Sequence, residues 1–302
     1  MTETIKRVGI LSPGDMGGGI GERLHQNGIA VYTCLAGRSP LTRLRAEEAG
    51  FKDTPSLDAL VGEIDLLMSV LVPSEAVPLA ESVAAAMRQT GAKPVYVDCN
   101  AIAPQTVGAI ERTIRDAGAS FIDAGIMGSS PRGNAPSPRF HCSGPDTAPF
   151  EELRDHGLDI RVVGPKIGQA SGLKMIYAAG TKGQQALWTE IMVAARALGL
   201  QEALVDELGP NNPSLRVVNS LPAMPHRARR WVGEMEEIAA TFEALGLTPK
   251  ILEGAADLFR FVGETPLADQ TPRDPNPTLD QLLGTLTGHL HGESELTLLI
   301  PR

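Results

Sequence analysis

The first half of the chain alternates short, continuously apolar runs with longer amphipathic ones. Val8-Gly9-Ile10-Leu11, Ile29-Ala30-Val31-Tyr32-Thr33-Cys34, Asp65-Leu66-Leu67-Met68-Ser69-Val70, Pro94-Val95-Tyr96-Val97-Asp98 and Ser120-Phe121-Ile122-Asp123-Ala124 read as strands. Residues 15–27, 40–49, 75–89 and 104–117 read as helices between them. Strands that are apolar on both faces and separated by helices predict an α/β domain with a doubly wound, mostly parallel sheet. Two later runs, at 139–143 and 160–163, are expected to extend that sheet.

The second half changes period. From 166 to 200 no strand signal is strong, and 174–198 reads as one long, Ala-rich helix without proline. Further helices are expected at 214–221, 222–246 and 249–262. Residues 264–277 hold Pro266, Pro272, Pro275 and Pro277, the composition of a linker, and a short helix is expected over 279–290. Gly164, Pro165 and Gly168 cluster where the pattern shifts. The expected organisation is therefore an α/β domain over 1–165, an all-α domain over 166–266, and a linker and tail over 267–302.

Charge narrows the function. Lys and Arg number 27 against 36 Asp and Glu, a net charge of −9, which argues against a nucleic-acid partner. No apolar run reaches the roughly 18 residues of a membrane span, and the N-terminus lacks a signal-peptide pattern. Cys34, Cys99 and Cys142 are widely spaced and form no CxxC, which fits a reducing, cytoplasmic setting. The six histidines are scattered, so no metal site is expected.

The segment after the first strand, Ser12-Pro13-Gly14-Asp15-Met16-Gly17, reads as Ser-x-Gly-x-x-Gly against the dinucleotide fingerprint G-x-G-x-x-G. Gly14 lets backbone approach a pyrophosphate, and Gly17 lets the helix pack close to the strand. The helix N-terminus supplies N–H donors and a positive dipole end. The first glycine is absent, but the segment follows a strand and opens a helix. After the second strand, Leu35-Ala36-Gly37-Arg38-Ser39 carries no acid of the kind that binds the ribose hydroxyls of NAD. Arg38 can instead pair with a 2′-phosphate and Ser39 can add a hydrogen bond. The expected cofactor is NADP, with NAD as the alternative. Gly37, Leu71, Val72 and Asn100 complete the expected cofactor contacts.

Four motifs in one order resemble the β-hydroxyacid dehydrogenase and 6-phosphogluconate dehydrogenase superfamily. They are Gly14-Asp15-Met16-Gly17, Asp98-Cys99-Asn100-Ala101-Ile102-Ala103-Pro104, Phe121-Ile122-Asp123-Ala124-Gly125-Ile126-Met127-Gly128 and Gly172-Leu173-Lys174-Met175. The string Arg227-Ala228-Arg229-Arg230-Trp231-Val232-Gly233-Glu234-Met235-Glu236-Glu237-Ile238 resembles a branch with a distinct phosphogluconate-dehydrogenase-like C-terminal domain. The resemblance spans roughly residues 7–265. It implies an N-terminal Rossmann domain, an all-helical C-terminal domain, Lys174 as the catalytic lysine, Asn100 as a polar substrate contact, and Gly128 in a substrate loop. The chain departs from the family at Ala178, where Asn is usual, at Ala101, and in the loop Gly128-Ser129-Ser130-Pro131-Arg132-Gly133. Substrate identity is therefore not carried over.

A hydroxyacid dehydrogenase needs a group that takes the hydroxyl proton as the carbonyl forms. Ser171, Lys174, Tyr177, Ala178 and Thr181 recur at helical spacing along one face. Lys174 is the expected acid/base, and Tyr177 is a donor or substrate anchor. Asn100, Met127, Gly128, Ser129 and Thr181 complete the expected substrate contacts. Lys182, Arg132 and Arg139 are further candidate cations for a carboxylate substrate. His226, Arg227, Arg229 and Arg230 precede Glu234, Glu236 and Glu237, and read as a solvated helix face with an Arg230–Glu234 pair, or as an interface contact.

The leading expectation is an NADP-dependent oxidoreductase that interconverts a small 3-hydroxy acid and its carbonyl form. Decarboxylation follows if the product is a β-keto acid. Imine reduction on the same architecture is one alternative, and a non-catalytic NADP-binding sensor another. The apolar faces of the long helices imply a homodimer.

Overall fold

The computed structural model describes residues 4–133, 135–271 and 274–290. The chain divides into two compact units, Met1–Met175 and Ile176–Arg302.

The first unit is built on one eight-stranded sheet in the order β3-β2-β1-β4-β5-β6-β7-β8. Its strands are β1 (Arg7–Leu11), β2 (Ala30–Thr33), β3 (Lys52–Asp53), β4 (Leu66–Ser69), β5 (Val95–Asp98), β6 (Phe121–Met127), β7 (Arg139–Ser143) and β8 (Asp159–Gly164). The helices are α1 (Asp15–Gln26), α2 (Pro40–Glu48), α3 (Leu57–Glu63), α4 (Pro73–Thr90), α5 (Pro104–Asp116) and α6 (Ala148–Glu151). β1 to β6 are parallel in the register Val8↔Val31, Gly9↔Leu67, Ser69↔Asp98 and Asp98↔Asp123. Strand order reverses between β1 and β4, the switch point where such sheets open a crevice at their C-terminal ends.

Successive strand residues feed opposite layers, as the pleat requires. Val8, Ile10, Met68 and Val97 pack with Ile20 and Leu24 of α1 on one face. Leu11, Leu67 and Tyr96 pack with Leu60, Val83 and Ile110 of α3, α4 and α5 on the other. Each such side chain contributes about 1.5–3 kcal/mol when fully buried.

Short elements of this unit, β3 and α3 among them, escape the periodicity. β3 has two residues, too few to show a period. α3 has seven and is set by Ser56, whose hydroxyl accepts from the Ala59 N–H at 3.1 Å. β6 runs three residues past the expected end at 124, because β7 pairs antiparallel along Asp123–Met127.

The long helix α7 (Gln169–Ala197) starts five residues before the expected 174. The first unit correspondingly continues to Met175, beyond the boundary expected at 165/166 from the Gly-Pro cluster. The reason is Asp123, whose carboxylate holds the α7 N-terminus.

The second unit comprises the rest of α7, α8 (Gln201–Leu208), α9 (Ser214–Ser220), α10 (Pro225–Ala244), α11 (Lys250–Gly263) and α12 (Leu279–Leu290). α10 and α11 pack together through Trp231 and Phe259, edge to face at 5.2 Å. α8 went unread in the sequence because it buries no residue. The expected linker is partly ordered: Pro266–Asp269 forms a 3₁₀ turn, and Arg229 reaches both the Gly263 carbonyl and Asp269 at 2.8 Å. Nor is α12 a loose tail, since it buries Leu282, Leu283 and Leu286. Pro272 and residues 291–302 of that expected segment lie outside the described residues.

Candidate active site

The cofactor end begins at the turn between β1 and α1. The Gly14 N–H donates to the Ser12 carbonyl at 2.8 Å, and the Gly14 carbonyl accepts the first helical N–H, from Gly18, at 2.9 Å. The N-cap of α1 is Gly14, which makes no side-chain cap hydrogen bond. A Cβ at Gly17 would collide with the Ser12 carbonyl oxygen and press on Ile10, whereas a Cβ at Gly14 would meet nothing within 4 Å. Gly17 thus permits the tight strand-to-helix packing, and Gly14 borders open space. These are the two features a dinucleotide pyrophosphate requires, and the turn fits that group.

Gly18 and Gly19 have a separate cause. A Cβ at Gly18 would stand 3.0 Å from Arg132 Nη2, and one at Gly19 would collide with Ser130 Oγ. Each glycine costs a helix about 1 kcal/mol relative to Ala, and the docking of loop 130–132 explains both. Arg132 donates to Asp15 Oδ1 at 3.1 Å and to the Gly14 carbonyl at 3.4 Å. Arg132, a candidate clamp for a substrate carboxylate, is thus paired at the turn between β1 and α1.

At the other end of the cofactor crevice, Gly37 has φ +72° and turns the chain after β2. Arg38 lines a recess with Leu71, Glu75 and Ser82. The Ser39 hydroxyl caps α2, accepting from the Thr42 N–H at 3.3 Å, so the expected phosphate contact is already engaged as a cap. Two residues missed in the sequence meet here. Arg43 donates to the Leu35 and Arg38 carbonyls, and Asp53 accepts from the Leu35 N–H at 2.8 Å. Asp53 lies 18 residues downstream of Leu35 and reaches it only because β3 pairs with β2.

The loops after β4 and β5 are joined by Asn100, which is 2% exposed. Its Oδ1 accepts from the Leu71 N–H at 2.6 Å, and its Nδ2 donates to Ser69 Oγ at 2.8 Å and Asp98 Oδ2 at 3.0 Å. The amide thus shapes the Leu71-Val72 turn, next to two of the expected cofactor contacts. Burial pushes the Asp98 carboxyl up to about 7; the Asn100 N–H groups oppose this and the nearby Asp123 charge reinforces it.

Asp123 is buried at the start of α7. Oδ2 accepts from the N–H groups of Gly168, Ala170 and Ser171 at 2.9, 3.1 and 3.1 Å, and from Ser143 Oγ at 2.9 Å. Oδ1 accepts from Ser171 Oγ. A carboxylate on a helix N-terminus meets orphan donors and the positive dipole end together. Burial still raises its pKa, against the pull of those hydrogen bonds. α7 is thereby seated on β6, where a Cβ at Gly125 would stand 3.0 Å from Lys174 Cβ. Lys174 Nζ donates to the Ile126 carbonyl at 2.5 Å. The chain continues into Met127 and Gly128, which with Ser129, Arg139 and Asp159 line a recess at the end of β6.

Of the expected helix face, Ser171 and Ala178 are buried while Tyr177 is 46% exposed. The Thr181 hydroxyl donates to its own helix, at the Tyr177 carbonyl, 3.2 Å away. Lys182, the further candidate cation on this helix, is buried against Glu234, 5.4 Å from the centre of the Trp231 ring. Arg230 joins the same carboxylate at 3.3 Å, the pair expected from spacing. No helix among the described residues is long and apolar enough to cross a membrane.

Comparison with known proteins agrees with this geometry. Residues 7–156 match the NAD binding domain of 6-phosphogluconate dehydrogenase, and 195–262 match a domain of unknown function, DUF1932. A conserved protein of unknown function, itself structurally similar to 3-hydroxyacid dehydrogenases, is 31% identical; the match covers 85% of this chain and 97% of that one, with a TM-score of 0.65. An uncharacterized 28.5 kDa protein of Methanothermus fervidus is 27% identical over 85% of this chain and 99% of its own length. The 3-hydroxyisobutyrate dehydrogenase of Mycobacterium tuberculosis, solved with L-serine, shares the fold at 19% identity and a TM-score of 0.69, over 94% and 99% of the two chains. The chain belongs to the family that joins this NAD-binding domain to DUF1932. Its fold and family match the NAD(P)-dependent 3-hydroxyacid dehydrogenases, oxidoreductases that act on CH–OH groups with a nicotinamide cofactor.

Proposed function

We propose that the protein is an NADP-dependent oxidoreductase that interconverts a small 3-hydroxy acid and its carbonyl form, with Lys174 as general acid/base. The observation that carries this reading is the seating of Lys174. Its helix is anchored by Asp123, and its amine is held at the Ile126 carbonyl, one residue before Met127 at the C-terminal end of β6. Ligands of open α/β sheets bind at such strand ends. Bound nicotinamide supplies the hydride acceptor. In oxidation the neutral Lys174 amine takes the substrate hydroxyl proton as the carbonyl forms; in reduction the ammonium returns it. Arg139 in the recess supports a carboxylate substrate. Asn100, Met127, Gly128, Ser129, Tyr177 and Thr181 are the substrate contacts of this reading.

The test is a panel of 3-hydroxy acids with NADP. Lys174→Ala is expected to lower kcat about 10²–10⁴-fold with NADPH affinity unchanged in a fluorescence titration. Near-normal turnover in Lys174→Ala together with its loss in Tyr177→Phe makes the tyrosine the proton donor. Turnover of cyclic imines alone assigns imine reduction, and cofactor binding without turnover of either class assigns a sensor.

The NADP preference rests on Arg38 and on the pairing of Asp53 with the Leu35 N–H. Arg38→Ala is expected to weaken NADPH about tenfold or more, the worth of a charge-assisted phosphate contact, and to leave NADH nearly unchanged. Equal losses reject the preference. A homodimer in the cytoplasm completes the reading. It is supported by an apolar groove between α7 and α11 with Leu187 55% and Ile251 74% exposed, and by three free cysteines. A monomeric mass by light scattering at micromolar concentration contradicts the dimer.

A further inference from the structure

Asp15 is the first residue of α1 and carries a carboxylate where the cofactor pyrophosphate meets the helix N-terminus. Asp15 alone favours the helix dipole, yet it repels the anion that the same dipole must attract. The structure supplies a counter-charge from far along the chain. Arg132, 117 residues away, donates to Asp15 Oδ1 at 3.1 Å. Its segment is fastened to α1 at three further points. Ser130 Oγ donates to the Asp15 carbonyl at 2.8 Å, Arg132 reaches the Gly14 carbonyl at 3.4 Å, and Arg23 reaches the Pro131 and Ala135 carbonyls. Gly18 and Gly19 clear the space for this contact.

We propose that Arg132 is a positioning residue for cofactor binding: it holds and neutralises the Asp15 carboxylate at the lip of the phosphate loop, so that dinucleotide affinity depends on how loop 130–132 is docked. The loop that follows the β6 recess thus reports to the phosphate site through one ion pair. The inference rests on the placement of the pyrophosphate at α1, which the family supports independently.

Direct titration with NADPH and NADH tests it without a substrate, using the full chain as wild type, Arg132→Ala, Asp15→Asn and the double variant. Arg132→Ala is expected to weaken both cofactors about five- to twentyfold at low ionic strength, falling to about twofold near 0.5 M salt, because a half-exposed charge is screened. Asp15→Asn binds as tightly as wild type or more tightly, and adding Arg132→Ala to it changes affinity by less than about twofold. Arg132→Lys, which keeps the charge without the fork, stays within about threefold of wild type. A penalty for Arg132→Ala that is as large in the Asp15→Asn background as in the wild type overturns the inference, because Arg132 then acts without the carboxylate. Equal affinity across all four proteins overturns it as well. Failure of wild type to bind either dinucleotide instead overturns the cofactor reading, and the inference with it. Thermal melts of each variant separate loss of binding from loss of fold.

Discussion

Asp98 and Asp123 are register partners on adjacent strands, both wholly buried, yet they organise different halves of the site. Asp98 accepts from Asn100 twice, through its backbone N–H and its side-chain amide, both at 3.0 Å. That amide in turn fixes the Leu71 turn on the cofactor side. Asp123 gathers three helix N–H groups and two hydroxyls, and fixes the start of α7, with Lys174 one turn further on. Burial raises both carboxyls, and the Asp123 charge makes Asp98 harder still to ionise. The comparison teaches that one layer of the sheet can serve two tasks, the task being set by which donors converge on each acid. Asp98 ties loop to loop, and Asp123 ties sheet to helix.

The largest effect is expected from Asp123→Ala. It leaves the Gly168 and Ser171 N–H groups and two hydroxyls without their acceptor, at about 1–3 kcal/mol for each group that stays unpaired, while the Ala170 N–H keeps Ser143 Oγ at 3.0 Å. Urea unfolding should show a loss of about 3 kcal/mol or more, and Asp123→Asn, which keeps one acceptor oxygen, a smaller one. A loss below about 1 kcal/mol would mean that α7 is held by packing alone.

Asn100→Ala is expected to act on the other side. It unties Leu71 and removes a donor from Asp98, and should weaken NADPH about three- to tenfold, the range of one lost hydrogen bond. Lys174 is anchored through Asp123, so the dependence of rate on substrate concentration should change little. If Asn100→Ala moves kcat more than cofactor affinity, the division of labour between the two acids fails.

A third effect is a slope. The Asp98 carboxyl titrates near 3.8 when solvated and near 7 in the fold. The native state therefore holds the extra proton between these values, and stability falls as pH rises through that window. The contribution is full below about pH 4 and lost above about pH 7. Asp98→Asn should flatten the dependence of Tm on pH between those limits. An unchanged slope assigns it to other groups, such as Asp123, whose shift has the same sign.

Residues whose role is local were legible before any coordinates. Gly14 and Gly17 sit where a strand hands over to a helix, and their lack of Cβ has the consequence that the turn requires. The helix over 279–290 has the bounds that its period implied, and Arg230 meets Glu234 one turn away. Residues whose partner is distant in the chain show nothing of it in the sequence. Arg132 and Lys182 are candidate cations there, and Asp15 and Glu234 hold them across separations of 117 and 52 residues. Asn100 was recognised as a polar site residue, but its amide bonds were not, because Leu71 and Ser69 approach it only when β4 and β5 pair.

The sequence by itself determined the alternation of strands and helices, the phosphate turn, the change to an all-α second half, and the motifs that mark the family. Hydrophobic period, glycine geometry and charge at one-turn spacing are all set within a few residues of the chain. Only the tertiary structure decided which acid faces which donor: Asp123 at the α7 N-terminus, Asp98 under Asn100, Asp15 under Arg132. A hydrogen bond or ion pair requires approach to about 3 Å, and for residues far apart in the chain that distance is a property of strand register and loop docking.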